Sequence, residues 1–153
     1  MGTAEAPRRR SGSATRRSGS AIEFQELLDQ ALSELDADEK SGPLVRAAGL
    51  RMRFEFTDLG MVLNVAASEE PGHHLRWEFS DAADWEPRLK LRMDSRFANA
   101  YLQGKESLAI AIARGRVRFA GDTECALRYV PTLRLFVAPY LRLVRRQYPH
   151  LLV

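Results

Sequence analysis

Few residues in this sequence have chemical reach. His73 and His74 lie in a turn beside Glu69 and Glu70, which brings together two imidazoles and two carboxylates, side chains that ligate zinc. Adjacent residues project in different directions, so two neighbouring rings rarely meet one ion, and the cluster reads as a polar turn with no metal. Cys125 follows Gly121-Asp122 without a histidine or asparagine arranged to serve as its base. It reads as a small buried hydrophobe rather than a nucleophile. Asp81, Asp84 and Glu86 flank Trp85 and read as a solvated acidic loop. There is no glycine-rich phosphate loop and no zinc spacing. This inventory contains no catalytic set, no metal and no cofactor, so an enzyme is not expected. Function must be sought in what the apolar residues enclose.

The 153-residue chain is 45% hydrophobic and 28% charged, an ordinary globular composition of single-domain size. No apolar run approaches the roughly 18 residues that cross a bilayer. One cysteine excludes an internal disulfide framework and suits a reducing compartment. The expected location is therefore cytoplasmic, with peripheral membrane contact as its extension. Residues 1–20 hold five arginines and one acid, and residues 21–153 are left with 18 bases against 19 acids. The basic character is thus a property of the tail, and no specific nucleic-acid partner is expected. Residues 1–20 read as a disordered Arg/Ser-rich tail, with Arg9–Ala14 repeated as Arg16–Ala21. No apolar region follows Arg16-Arg17, as export would require. A solubilising segment, a contact to anionic lipid and an organelle transit peptide remain open for it.

The domain over 21–153 divides by period. Ser20 and Glu23 form a capping box before Phe24, Leu27, Leu28, Ala31, Leu32 and Leu35, one helical stripe with an acidic opposite face. Ser41-Gly42-Pro43 reads as its stop. After Gly49 the period becomes two. Met52, Phe54 and Phe56 alternate with arginines and a glutamate, and strands at 61–66, 75–79, 89–93 and 116–119 follow. The first three read as an antiparallel meander. Asp94 or Ser95 caps a helix that stops at Gly104, and Ser107 caps a second that stops at Gly115. A C-terminal helix spans 131–148, capped by Thr132 and kinked or split at Pro139. A sheet with one greasy face needs one layer of helices over it, which gives an α+β two-layer domain.

Residues 89–127 carry a resemblance. Leu89, Leu91 and Met93 precede a cap, Phe97, Leu102 and Gly104 follow, then Ala109 and Ala113, then Gly115-Arg116-Val117-Arg118-Phe119-Ala120-Gly121-Asp122 with Ala126-Leu127 beyond. In order and spacing this segment resembles the sterol carrier protein 2 family, and with the preceding strands the resemblance covers about residues 45–130. It implies a two-layer α+β fold with a five-stranded, mainly antiparallel sheet. It also implies an apolar tunnel between sheet and helices for a sterol, fatty acyl chain or other lipid. Glu106-Ser107 replaces the family's usual Asp-Pro. The chain stops at Leu151-Leu152-Val153, which is not a peroxisomal address.

The residues expected to wall that cavity are Phe54, Phe56, Leu63, Trp77, Leu91, Phe97, Tyr101, Leu108, Ile112, Phe119, Phe136 and Tyr140. Large and small residues alternate over 108–113 and could leave space opposite the aromatic sheet. The C-terminal helix reads as a fixed member of the layer, a lid over the tunnel mouth, or a basic amphipathic helix that touches anionic membrane through Arg142, Arg145 and Arg146. These arginines are alternatively partners for the acidic face of the first helix. The expected function is non-enzymatic binding or transfer of a hydrophobic ligand. The alternative is an accessory interaction module with a closed core, which dimerises or docks on a partner enzyme.

Overall fold

The computed structural model describes residues 19–153. Helix α1 (Gly19–Ala37) and the short α2 (Ser41–Ala47) precede the strands β1 (Arg51–Phe56), β2 (Met61–Ala67), β3 (Leu75–Glu78) and β4 (Leu89–Met93). Helices α3 (Ser95–Leu102) and α4 (Leu108–Ala113), strand β5 (Arg118–Gly121) and helices α5 (Thr123–Leu133) and α6 (Val137–Gln147) complete the domain, with a 3-10 turn, Arg134–Phe136, between the last two. The rest of the arginine-rich tail lies outside the described residues.

The sheet order is β3-β2-β1-β4-β5. β1, β2 and β3 form the expected antiparallel meander, with Phe54 opposite Leu63 and Val65 opposite Trp77. β4 then runs parallel to β1, placing Leu91 beside Phe54, and β5 returns antiparallel to β4. The sheet is therefore mixed but mostly antiparallel. The parallel step requires the chain to travel back between Glu78 and Leu89. Asn64, buried on the outer face, holds that crossover by donating from Nδ2 to Ser80 O at 2.6 Å. Trp85 of the same crossover lies 4.2 Å from the Arg76 guanidinium, which also approaches Asp84 at 3.9 Å.

The inner face packs on α1, whose Leu27, Leu32 and Leu35 are fully buried. Helix α1 begins at Gly19, so Ser20 lies inside it rather than before it. Gly42 and Pro43 do not terminate structure: they open α2. Proline is tolerated in a first turn, where its missing N–H has no intrahelical acceptor, and Gly42 is the contact surface for the His74 ring. Asp94 accepts from Phe97 N and Ser107 from Ile110 N, so both expected caps form.

The C-terminal region differs most from its expectation. One helix over 131–148 is replaced by α5 and α6, and the break falls at Arg134–Phe136, before Pro139. Pro139 is the third residue of α6, where the absence of an N–H costs no hydrogen bond. Thr132 is no cap: its hydroxyl bonds Arg128 O at 3.3 Å inside α5. The unforeseen α5 starts from Asp122, whose carboxylate accepts from Glu124 N, and buries Cys125, Tyr129 and Leu133 at helical spacing. The fifth strand also starts at Arg118, beyond the expected 116.

Candidate functional site

Between the layers lies an apolar crevice. Its floor is Phe54 and Phe56 of β1, Leu63 of β2, and Leu91 and Met93 of β4. Leu28, Ala31 and Leu32 of α1 form one wall, and Ala98, Tyr101 and Leu102 of α3 with Leu108 of α4 another. Leu133, Phe136 and Tyr140 close it from the C-terminal helices. Elements distant in sequence meet here because each contributes its buried stripe. The walls expose no polar atom to the space.

The polar ends of the two tyrosines are turned away. Tyr140 Oη donates to Asn99 Oδ1 at 2.6 Å. Burial, and then the negative charge of Glu23, push the Tyr140 hydroxyl far above its ordinary pKa, so it stays a donor. Burial likewise raises Tyr101, against an opposing effect of Arg134. Asn99 and Gln103 form a strap with the chain end. Leu151 O accepts from Asn99 Nδ2 at 2.9 Å and from Gln103 Nε2 at 2.8 Å, and Val153 N donates to Gln103 Oε1.

The crevice is narrow. Its volume is about 40 Å³, room for a few water molecules. Pockets that hold drug-sized ligands run to several hundred Å³. Among the described residues the space between the layers is far smaller than that, because aromatic side chains occupy it. Phe56 meets Phe24 edge-on at 5.2 Å and lies parallel to Phe54 at 6.4 Å, while Tyr140 is fully buried.

Eight of the twelve expected wall residues line the crevice: Phe54, Phe56, Leu63, Leu91, Tyr101, Leu108, Phe136 and Tyr140. Four do not. Trp77 is drawn off by its indole, whose Nε1 donates to Asp29 Oδ1 at 2.8 Å. Phe97 is buried but lies parallel to Tyr101, with the Arg116 guanidinium 5.1 Å from its ring. Phe119 is 43% exposed, because β5 is the sheet's margin and offers it little cover. Ile112 is only partly buried. The large–small alternation over 108–113 has a period of two, and a helix does not present such a pattern on one face. Leu108 and Ala111, three apart, point inward, and Ile110 is 54% exposed. Sequence reasoning missed seven crevice residues, Leu28, Ala31 and Leu32 of α1 with Met93, Ala98, Leu102 and Leu133, although the α1 stripe is legible.

Of the arginines considered for membrane contact, Arg142 and Arg146 point at Glu34 of α1, at 3.3 and 3.6 Å. Arg145 has no ion-pair partner among the described residues. His73 bonds Asp36 rather than Glu69 or Glu70, at 2.8 Å. Among the described residues no group of three or more His, Cys, Asp or Glu side chains is placed to hold a metal, and no helix is long and apolar enough to cross a membrane. Cys125 is a buried free thiol.

Solved structures resemble this architecture. A UbiJ-SCP2 ubiquinone synthesis protein superposes with a TM-score of 0.55 at 13% identity, over 78% of this chain and 94% of that one. Sterol carrier protein domain 2 of Helicoverpa armigera gives 0.55 at 12% identity, over 76% and 87%. The chain has the sterol carrier protein 2 fold. The same fold is matched within a larger enzyme: the inverting sec-alkylsulfatase Pisa1 from Pseudomonas sp. gives 0.53 at 16% identity, over 82% of this chain but 17% of that one. No family model matches the sequence, and no curated protein matches it. The likeness to the sterol carrier protein 2 fold therefore rests on tertiary structure.

Proposed function

We propose that this domain is a non-enzymatic carrier of a hydrophobic ligand, which enters between the sheet and the helical layer by prising the crevice apart. The observation that carries this reading is the wall: fifteen residues from both layers meet around one space without a polar atom facing it. Each buried methylene contributes about 0.8 kcal/mol, so eight of them contribute on the order of 6 kcal/mol before association costs. The side most open to displacement is the C-terminal one, where the helix is already broken at Arg134–Phe136 beside Phe136 and Tyr140. A soluble, cytoplasmic setting with transient contact to anionic membrane accords with this role.

Native mass spectrometry of the purified full chain, with solvent extraction, tests the proposal. A co-purifying lipid, or a fatty acyl probe binding below roughly 100 μM, is the expected result. No lipid and no probe binding would sink it.

The crevice volume of about 40 Å³ favours a second reading, a closed-core accessory module that dimerises or docks on an enzyme. Light scattering after size exclusion separates the two: a ligand-free dimer that binds no probe supports the module.

A further inference from the structure

A wider space lies away from the crevice, with which it shares no lining residue. Arg51, Ala66 and Arg76 stand in one row across β1, β2 and β3, since Ala66 is paired with Arg51 on one side and with Arg76 on the other. Side chains alternate along a strand, so this row projects opposite to the buried Met52, on the outer face of the sheet. The two arginines are two strands apart, about 10 Å, with only a methyl group between them. Both line a groove of about 690 Å³, together with Arg46 from the last turn of α2 and with Glu69 and Glu70 beyond the end of β2. Its charges do not neutralise one another. Among the described residues Arg46, Arg51, Glu69 and Glu70 make no ion pair, and Arg76 reaches only the exposed Asp84, at 3.9 Å. The Arg76 guanidinium is instead positioned by Trp85, whose ring centre lies 4.2 Å away. Contact with an aromatic face orients the guanidinium and leaves its edge N–H groups for an acceptor.

We infer that this groove binds a small phosphorylated polyol, with its phosphate on Arg51, Arg76 and Arg46 and its hydroxyls donating to Glu69 and Glu70. The site is independent of the carrier reading. Guanidiniums hold phosphate oxygens through paired N–H donors, and Ala66 leaves the room for an oxyanion between two of them. Ionised glutamates only accept hydrogen bonds, so they repel a bare anion but welcome hydroxyl donors. The groove therefore selects a molecule that carries both groups, a chemistry shared by nucleotides and sugar phosphates. Its volume of about 690 Å³ suits either, since small-molecule sites span roughly 300–1,000 Å³.

Calorimetric titration of the full chain with ADP, ribose 5-phosphate and pyrophosphate tests it. The variants are Arg51→Gln, the double variant Glu69→Gln with Glu70→Gln, and Arg118→Gln as a control for general charge. All four positions are exposed, and Arg118 lies on β5, outside the groove. At least one of the two esters is expected to bind, and the tighter of them names the source, nucleotide or sugar phosphate. Arg51→Gln should weaken that ester by about tenfold, while Arg118→Gln leaves it unchanged. The double variant separates hydroxyl recognition from electrostatics. Removing two negative charges should leave pyrophosphate bound as before or more tightly, yet weaken the ester. If neither ester binds, or if Arg51→Gln and Arg118→Gln have equal effects, the site is overturned. If the double variant tightens the ester along with pyrophosphate, the groove is a plain anion trap and the polyol assignment is overturned.

Discussion

His73 Nδ1 lies 2.8 Å from Asp36 Oδ2, and this pair ties the C-terminal end of α1 to the turn before β3. The other carboxylate oxygen of Asp36 accepts from His74 N and Leu75 N, at 2.6 and 2.8 Å. One acid therefore organises the junction between the helical layer and the sheet edge. Burial opposes its ionisation, but the His73 bond, the two backbone donors and the His73 charge outweigh it and hold the carboxyl below its ordinary value. The Asp36 hydrogen bond, and then its charge, lift the His73 imidazole above its ordinary value.

The pair therefore has a defined pH window. The carboxylate's contribution is present above its unfolded value of 3.8 and is lost as pH falls through the lower folded one. The imidazolium's contribution is full below 6.5 and is lost as pH rises through the raised folded value. Asp36→Ala is expected to destabilise by about 2 kcal/mol near pH 5.5, mostly through the two stranded backbone donors. Urea denaturation of wild type and variant across pH should show the difference narrowing on both sides. A difference that keeps growing above pH 8 contradicts the assignment.

Tyr140 offers a cleaner deletion. Tyr140→Phe keeps the ring that closes the crevice and removes only the bond to Asn99. Asn99 Oδ1 retains the Gln103 Nε2 donor at 2.9 Å, so no bare acceptor is left. The expected cost is about 1 kcal/mol in chemical denaturation, with fatty acyl probe affinity unchanged. A loss of probe binding would instead make the hydroxyl itself a ligand contact.

Ala98 tests whether the crevice is the binding space. It is buried on α3 and lines the crevice. Ala98→Leu pushes extra carbon into a space of about 40 Å³. Overpacking of this kind costs about 1–3 kcal/mol. If hydrocarbon lodges there, the variant should lose fatty acyl probe affinity by tenfold or more while its melt remains cooperative. Unchanged affinity in a folded variant places the ligand elsewhere.

The strands and their inward faces were legible because a period of two is unmistakable at Met52, Phe54 and Phe56 and at Leu89, Leu91 and Met93. The caps at Asp94 and Ser107 were legible for the same local reason: one side-chain oxygen satisfies one N–H three residues on. What failed was set by tertiary contact. Nothing near Trp77 in sequence reveals that Asp29, 48 residues away, claims its indole. The exposure of Phe119 follows from β5 being the sheet's margin, which the order of strands in the chain does not disclose. Helix α5 escapes pattern reading because Asp122 closes the Gly115–Asp122 stretch that carries the resemblance and is also the cap of the next helix. The width of the crevice was beyond pattern reading, since it depends on how rings such as Phe24 and Phe56 interlock.

Gly121 and Gly115 make a matched pair for a last prediction. Both have positive φ, +130° and +78°, so alanine pays a backbone penalty at either. Their surroundings differ. A Cβ at Gly115 meets nothing within 4 Å, whereas one at Gly121 runs into the carbonyl of Arg88. Gly121 stands opposite Leu89 in the β4–β5 ladder, and Asp122 N donates to that same Arg88 carbonyl at 3.1 Å. The collision can be relieved only by moving β5 outward, which breaks the ladder and draws Arg118 away from Arg92. Gly115→Ala is expected to cost about 1 kcal/mol. Gly121→Ala should cost appreciably more, with amide exchange rising first at Arg118–Gly121. Equal losses at the two sites would mean that backbone conformation alone matters, and that the close approach to Arg88 contributes nothing.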